Sequence, residues 1–102
     1  MTQINLLQGV LPVLHTPLLD NGTIDVPTLE REIDWVFQTK ADGVVVAMVS
    51  EVLRLGYHAR KELAGYVCPA VKGRGYTVIS VGAESIREAI DFATHAEALG
   101  AS

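Results

Sequence analysis

Between Asp42 and Leu55 the chain reads Asp-Gly-Val-Val-Val-Ala-Met-Val-Ser-Glu-Val-Leu-Arg-Leu, and its run from Val44 to Val49 is apolar throughout. A half-exposed strand alternates apolar and polar residues, so an unbroken run that stops at Ser50-Glu51 predicts a buried parallel strand ending in a polar turn. A shorter run, Gly9 to Leu14, predicts an earlier strand closed by His15, Thr16 and Pro17. Pro12 cannot donate a ladder hydrogen bond, so that strand lies at an edge or turns this position away from a partner. Tyr76 to Val81 predicts a third strand, with Gly82-Ala83 as its turn.

The intervals carry the helical period. Asp25 is a candidate N-cap, Pro27 suits a first turn, and Leu29, Ile33, Val36 and Phe37 recur at helical spacing up to about Lys40. The stretch Ala59 to Lys72 predicts a second helix with a face of Leu63, Tyr66, Val67, Ala70 and Val71, stopped by Gly73 and kinked at Pro69. Ser85 followed by Glu88 forms a capping box for a third helix, whose stripe is Ile86, Ala89, Ile90, Ala93, Ala96 and Leu99, with Gly100 as its C-terminal cap.

Strand and helix therefore alternate as β-α-β-α-β-α, which predicts an α/β fold with a parallel sheet and right-handed crossovers. If the strands pair in sequence order, all three helices fall on one side and the other face is bare. A closed (β/α)8 barrel hides such a face as its interior, but it takes eight units and about 250 residues. The three units in these 102 residues read as one portion of such a barrel domain. A small doubly wound domain with strand order 2-1-3 is the alternative; no Gly-x-Gly-x-x-Gly or Walker sequence supports it.

Composition narrows the partners. With 49 % hydrophobic residues and a mean hydropathy of +0.28, the chain has more apolar surface than a domain this small easily hides. A net charge of −4 without a basic run gives no footprint for nucleic acid or an anionic membrane surface. The start Met-Thr-Gln-Ile-Asn lacks the features of a signal peptide, and the lone Cys68 cannot form an internal disulfide, so a cytoplasmic location is expected. His15, His58 and His95 show no metal-ligand spacing. No metal or cofactor is expected.

Several segments together resemble the dihydrodipicolinate synthase and N-acetylneuraminate lyase family. They are Gly9 with Thr16-Pro17, the stretch Asp20 to Asp25, Asp42-Gly43, Ser50-Glu51, Thr77 to Ser85, and Ala96 to Ala101. The resemblance implies a (β/α)8 barrel, usually a homotetramer, that joins or splits pyruvate, a 2-oxo acid, and an aldehyde through a lysine Schiff base. It also implies that the Schiff-base lysine and its partner tyrosine come from strands later than the third, leaving no catalytic residue in this chain. The family's Gly-Thr-Thr-Gly-Glu is replaced by Ala47-Met48-Val49-Ser50-Glu51, so the hydroxyl pair that helps bind the pyruvate carboxylate is missing.

Three residues are candidates for substrate binding: Ser50, Glu51 and Thr16. Each also has a plainer reading, the first two as a turn before a helix and Thr16 as the cap of a strand end. Lys40, Lys61 and Lys72 are expected to be solvated, at a helix end, on a polar helix face and in a turn, whereas a Schiff-base lysine needs desolvation or a neighbouring cation. Besides the lyase, the chain is compatible with a non-catalytic, self-associating barrel fragment.

Overall fold

The structure, a computed structural model, describes residues 7–47 and 55–102. Its elements follow in the order α1 (Val26–Gln38), β1 (Gly43–Val46), α2 (Tyr57–Val71), β2 (Tyr76–Ile79) and α3 (Ile86–Ala98). The two strands are parallel, with Val44 opposite Thr77 and Val45 opposite Val78.

The expected first strand is reduced to a single parallel bridge, Val13 to Val45. The Leu14 amide donates to the Val45 carbonyl, and the Val45 amide donates to the Pro12 carbonyl, both at 2.9 Å. In extended backbone the nitrogen and oxygen of one residue face the same side. Pro12 thus turns a nitrogen without hydrogen toward β1, and the ladder cannot continue through it. The segment still lies beside β1, so the order is first segment, β1, β2. A 2-1-3 order would put that first segment in the middle, where β1 stands instead.

A clamp fixes the amino edge of the sheet. Asp42 Oδ2 accepts from the Val10 amide at 2.7 Å, the Asp42 amide donates to the Val10 carbonyl at 2.8 Å, and the Asp42 carbonyl accepts from the Tyr76 amide at 3.0 Å. Gly9, with φ +100°, passes so close that a Cβ there would coincide with the Asp42 carboxylate.

Side-chain direction alternates along the strands. Val44 and Val46 are buried with Leu14, Leu29, Ile33, Val36, Leu63, Val67 and Val71 under the helices. Val45 and its neighbours Val13 and Val78 face the other way; Val45 and Val78 are half-buried and Val13 is exposed. The bare face is therefore narrower than the sequence predicts, because Val44, Val46 and Ile79 turn toward the helices.

The helices form as their caps dictate, with two corrections of face. Asp25 caps α1, accepting from the Thr28 amide at 3.3 Å and the Thr28 hydroxyl at 2.7 Å. The second helix begins at Tyr57, two residues earlier than expected, and runs through Pro69 to Val71. Its buried face is Leu63, Ala64, Val67, Cys68 and Val71, while Tyr66 points out and donates to Glu62 at 3.1 Å. Ser85 accepts from the Glu88 amide at 3.3 Å, which is the hydroxyl half of the capping box. On α3 the buried residues are Phe92 and Ala96, whereas Ile86 and Ile90, expected inside, are 81 % and 62 % exposed. An open trough of about 470 Å³ runs between α3 and β2, lined by Val78, Val81 and Ala93 among others. At the amino end of that trough the Ser102 amide donates to the Thr77 carbonyl at 2.7 Å, and the Ser102 hydroxyl accepts from the Thr77 amide at 3.1 Å.

Candidate functional site

In parallel α/β sheets ligands meet the carboxyl ends of the strands, where loops and helix starts converge over a rigid base. That edge here comprises His15 to Pro17 after the first segment, Ala47 after β1, and Ser80 to Ser85 after β2. Thr16 is 5 % exposed, and among the described residues its hydroxyl has no hydrogen-bond partner, so the strand-end capping bond is not formed there. Its neighbour His15 is tied down, the backbone amide donating to Glu32 Oε1 at 2.8 Å. Ser50 and Glu51, like Met48 and Val49, lie outside the described residues. Of the three candidates the described structure therefore places Thr16 alone.

The loop after β2 is anchored from two sides. The Ser80 amide donates to the Val46 carbonyl at 2.8 Å. Arg60, in the first turn of α2, donates to the Ser80 carbonyl at 3.1 Å and to the Gly82 carbonyl at 2.8 Å, with its guanidinium 3.9 Å from the centre of the Phe92 ring. Burial lowers the Arg60 pKa from the ordinary guanidinium value, and nearby Glu88 opposes that shift. Sequence reading missed Arg60 because an arginine in a helical turn carries no local signal of which carbonyls it will meet.

The lysines divide as their surroundings dictate. Lys40, with φ +66° just past α1, and Lys72 at the end of α2 are exposed. Lys61 is not a freely solvated side chain: it is 27 % exposed and donates to Asp91 Oδ2 and to the Tyr57 hydroxyl, each at 3.2 Å. The Tyr57 hydroxyl also donates to Asp91, and His95 Nε2 approaches the Lys61 carbonyl at 3.2 Å. This cluster ties α2 to α3 on the helix layer. The crevice beside it, lined by Val46, Arg60, Ser80 and Phe92, has free space of about 10 Å³, room for a water molecule at most. No group of three or more His, Cys, Asp or Glu fit to hold a metal occurs among the described residues, and no helix there is long and apolar enough to cross a membrane.

Parallel βα units in sequence order, with loops gathered at the carboxyl edge, make this an α/β chain with the repeating pattern that TIM barrels use. The chain belongs to the dihydrodipicolinate synthetase family, whose sequence profile matches residues 6–102. Among its relatives, the 4-hydroxy-tetrahydrodipicolinate synthase of Acidiphilium cryptum is 32 % identical over 97 residues, covering 94 % of this chain and 33 % of that protein. The crystal structure of YagE, a prophage protein of the dihydrodipicolinic acid synthase family from E. coli K12 in complex with pyruvate, superposes with a TM-score of 0.90 at 28 % identity. That match covers 95 % of this chain and 33 % of YagE. The N-acetylneuraminate lyase of Proteus mirabilis superposes with a TM-score of 0.87 at 27 % identity, over 96 % of this chain and 34 % of the lyase. The chain spans about a third of the length of these relatives.

Proposed function

We propose that this chain forms the first three βα units of a lyase of the class I pyruvate-dependent aldolase type. The observation that carries the reading is the close superposition on YagE, a relative whose crystal structure holds pyruvate. The order of the sheet and the one-sided helices support it, because they leave a face and an edge of the kind a barrel interior uses.

In this reaction a lysine amine adds to the 2-oxo carbon of pyruvate and water leaves, giving an imine. The imine withdraws electrons from the adjacent methyl carbon, which loses a proton and attacks the aldehyde carbonyl; cleavage runs the same steps backwards. The lysine and tyrosine for these steps belong to later strands of the barrel. The roles assigned to this chain are to bind and orient: Ser50, Glu51 and Thr16 contact the substrate, with Ser50 donating to its carboxylate. Met48 and Val49 bring no hydroxyls, so Ser50 is the hydroxyl of that turn available to the carboxylate. The protein works as a homo-oligomer.

Borohydride trapping tests the reading. The full-length protein incubated with pyruvate and borohydride gains one adduct by intact mass, mapped to a lysine other than Lys40, Lys61 and Lys72. The 102-residue polypeptide alone gains none. An adduct on one of those three lysines, or none on the full-length protein, overturns it.

A further inference from the structure

Val13, Val45 and Val78 make the face of the sheet away from the helices apolar, and His15 is a polar exception on it. Successive residues of an extended chain point to opposite sides. Leu14 is buried under the helices and Val13 is 46 % exposed, so His15, exposed and two positions beyond Val13, falls on the valine side. The parallel bridge from Val13 to Val45 carries His15 level with Ala47, at the carboxyl edge. The short alanine side chain leaves room beside the imidazole. The backbone beneath the ring is pinned, the Leu14 amide donating to the Val45 carbonyl at 2.9 Å and the His15 amide to Glu32 Oε1 at 2.8 Å. The ring itself has no hydrogen-bond or ion-pair partner among the described residues.

Where the rest of a barrel encloses this face, the ring becomes an interior polar group, which costs free energy unless something satisfies it. The valines beside it cannot. A neutral imidazole carries one donor and one acceptor nitrogen, and a hydroxyl matches either of them. A carboxylate would be better served by a fixed cation, and residues 7–24, 41–47 and 76–85 contain no lysine or arginine.

We propose that His15 is a specificity-determining residue of the carboxyl-edge site, its imidazole hydrogen-bonding a hydroxyl of the acceptor aldehyde. This rests on the pyruvate reading above, which gives the pyruvate carboxylate to the turn after β1 and leaves the neighbouring strand end for the aldehyde.

The test supplies the full-length protein with pyruvate and one of two aldehydes of similar shape. Glyceraldehyde carries two hydroxyls, and 2-methylbutanal has methyl groups in their place. The unaltered protein turns over glyceraldehyde with the higher kcat/KM, and His15→Leu lowers that preference by about tenfold or more, the scale of a polar group left unpaired. Borohydride trapping of pyruvate is unchanged in this variant, because the imine forms without the aldehyde. His15→Gln, which keeps a donor and an acceptor, retains part of the preference and serves if the leucine variant does not fold. His58→Gln, an exposed histidine on α2, leaves the preference as it was. An unaltered protein that traps pyruvate but does not favour glyceraldehyde, an unchanged preference in both His15 variants, or loss of trapping in a folded His15 variant overturns the proposal while the pyruvate reading stands. Failure of the unaltered protein to form any pyruvate adduct overturns both.

Discussion

Gly9 and Asp42 are thirty-three positions apart and act as one device. The carboxylate that accepts from the Val10 amide occupies the space where a Gly9 side chain would begin. Gly9→Ala adds backbone strain to that collision and is expected to cost about 2 kcal/mol or more; Asp42→Ala, at an exposed hydrogen bond, costs about 1 kcal/mol. The double variant loses less than the sum, because the alanine has already displaced the carboxylate. Urea midpoints at constant slope measure all three, and strict additivity would separate the two residues.

Cys68 gives a second prediction at this scale. It is 4 % exposed, and burial pushes its thiol pKa up, since desolvation penalises the thiolate. A raised folded-state pKa means that the folded chain holds the proton more tightly. Its contribution to stability is complete below the unfolded value of about 8.5 and is lost as pH rises through the higher folded one. Iodoacetamide at pH 8 should label the native protein far more slowly than the denatured one. Equal rates would place the thiol at the surface.

At the scale of elements, much was legible in the sequence. The Asp25 cap, the Pro27 start, the burial of Leu29, Ile33 and Val36, and the Ser85 cap all follow from local chemistry. What the sequence did not disclose was rotation about a helix axis. On α2 both Tyr66 and Cys68 fit an apolar face, and tertiary packing admits the small thiol while sending the phenol out to Glu62. Leu63→Ala should therefore cost about 3 kcal/mol and Tyr66→Ala under about 1 kcal/mol. Leu63 is buried where α2 packs between α1 and α3, whereas Tyr66 is exposed. Similar losses at the two positions would restore the face the sequence suggested. The site was less legible, because Arg60 acts on carbonyls some twenty residues away. The proline that thins the first strand was visible, but which way its nitrogen turned was not.

For the whole molecule, apolar groups remain uncovered on one flank. Val13, Val45 and Val78 line the face away from the helices, Val78, Val81 and Ala93 line the trough beside β2, and Ile86 and Ile90 are exposed on α3. Covering about 600 Å² of such surface is worth about 15 kcal/mol before the costs of association, comparable to or above the stability of an ordinary domain. The 102-residue polypeptide on its own is expected to self-associate at micromolar concentration. Sedimentation velocity measures this. A compact monomer with cooperative melting and no binding of apolar dyes would mean that the flank is not a liability.

The contact between Ser102 and Thr77 bears on how such a sheet is assembled in time. Parallel strands are slow to find their register, since each must close a long loop before any bond rewards it. Here α3 has already closed that loop, and both polar groups of Thr77 on the outer edge are engaged by one residue. A strand laid along this edge of β2 from Thr77 would start with its first rung in place and have no register to search for. On a ribosome, each unit would then template the next as it emerges.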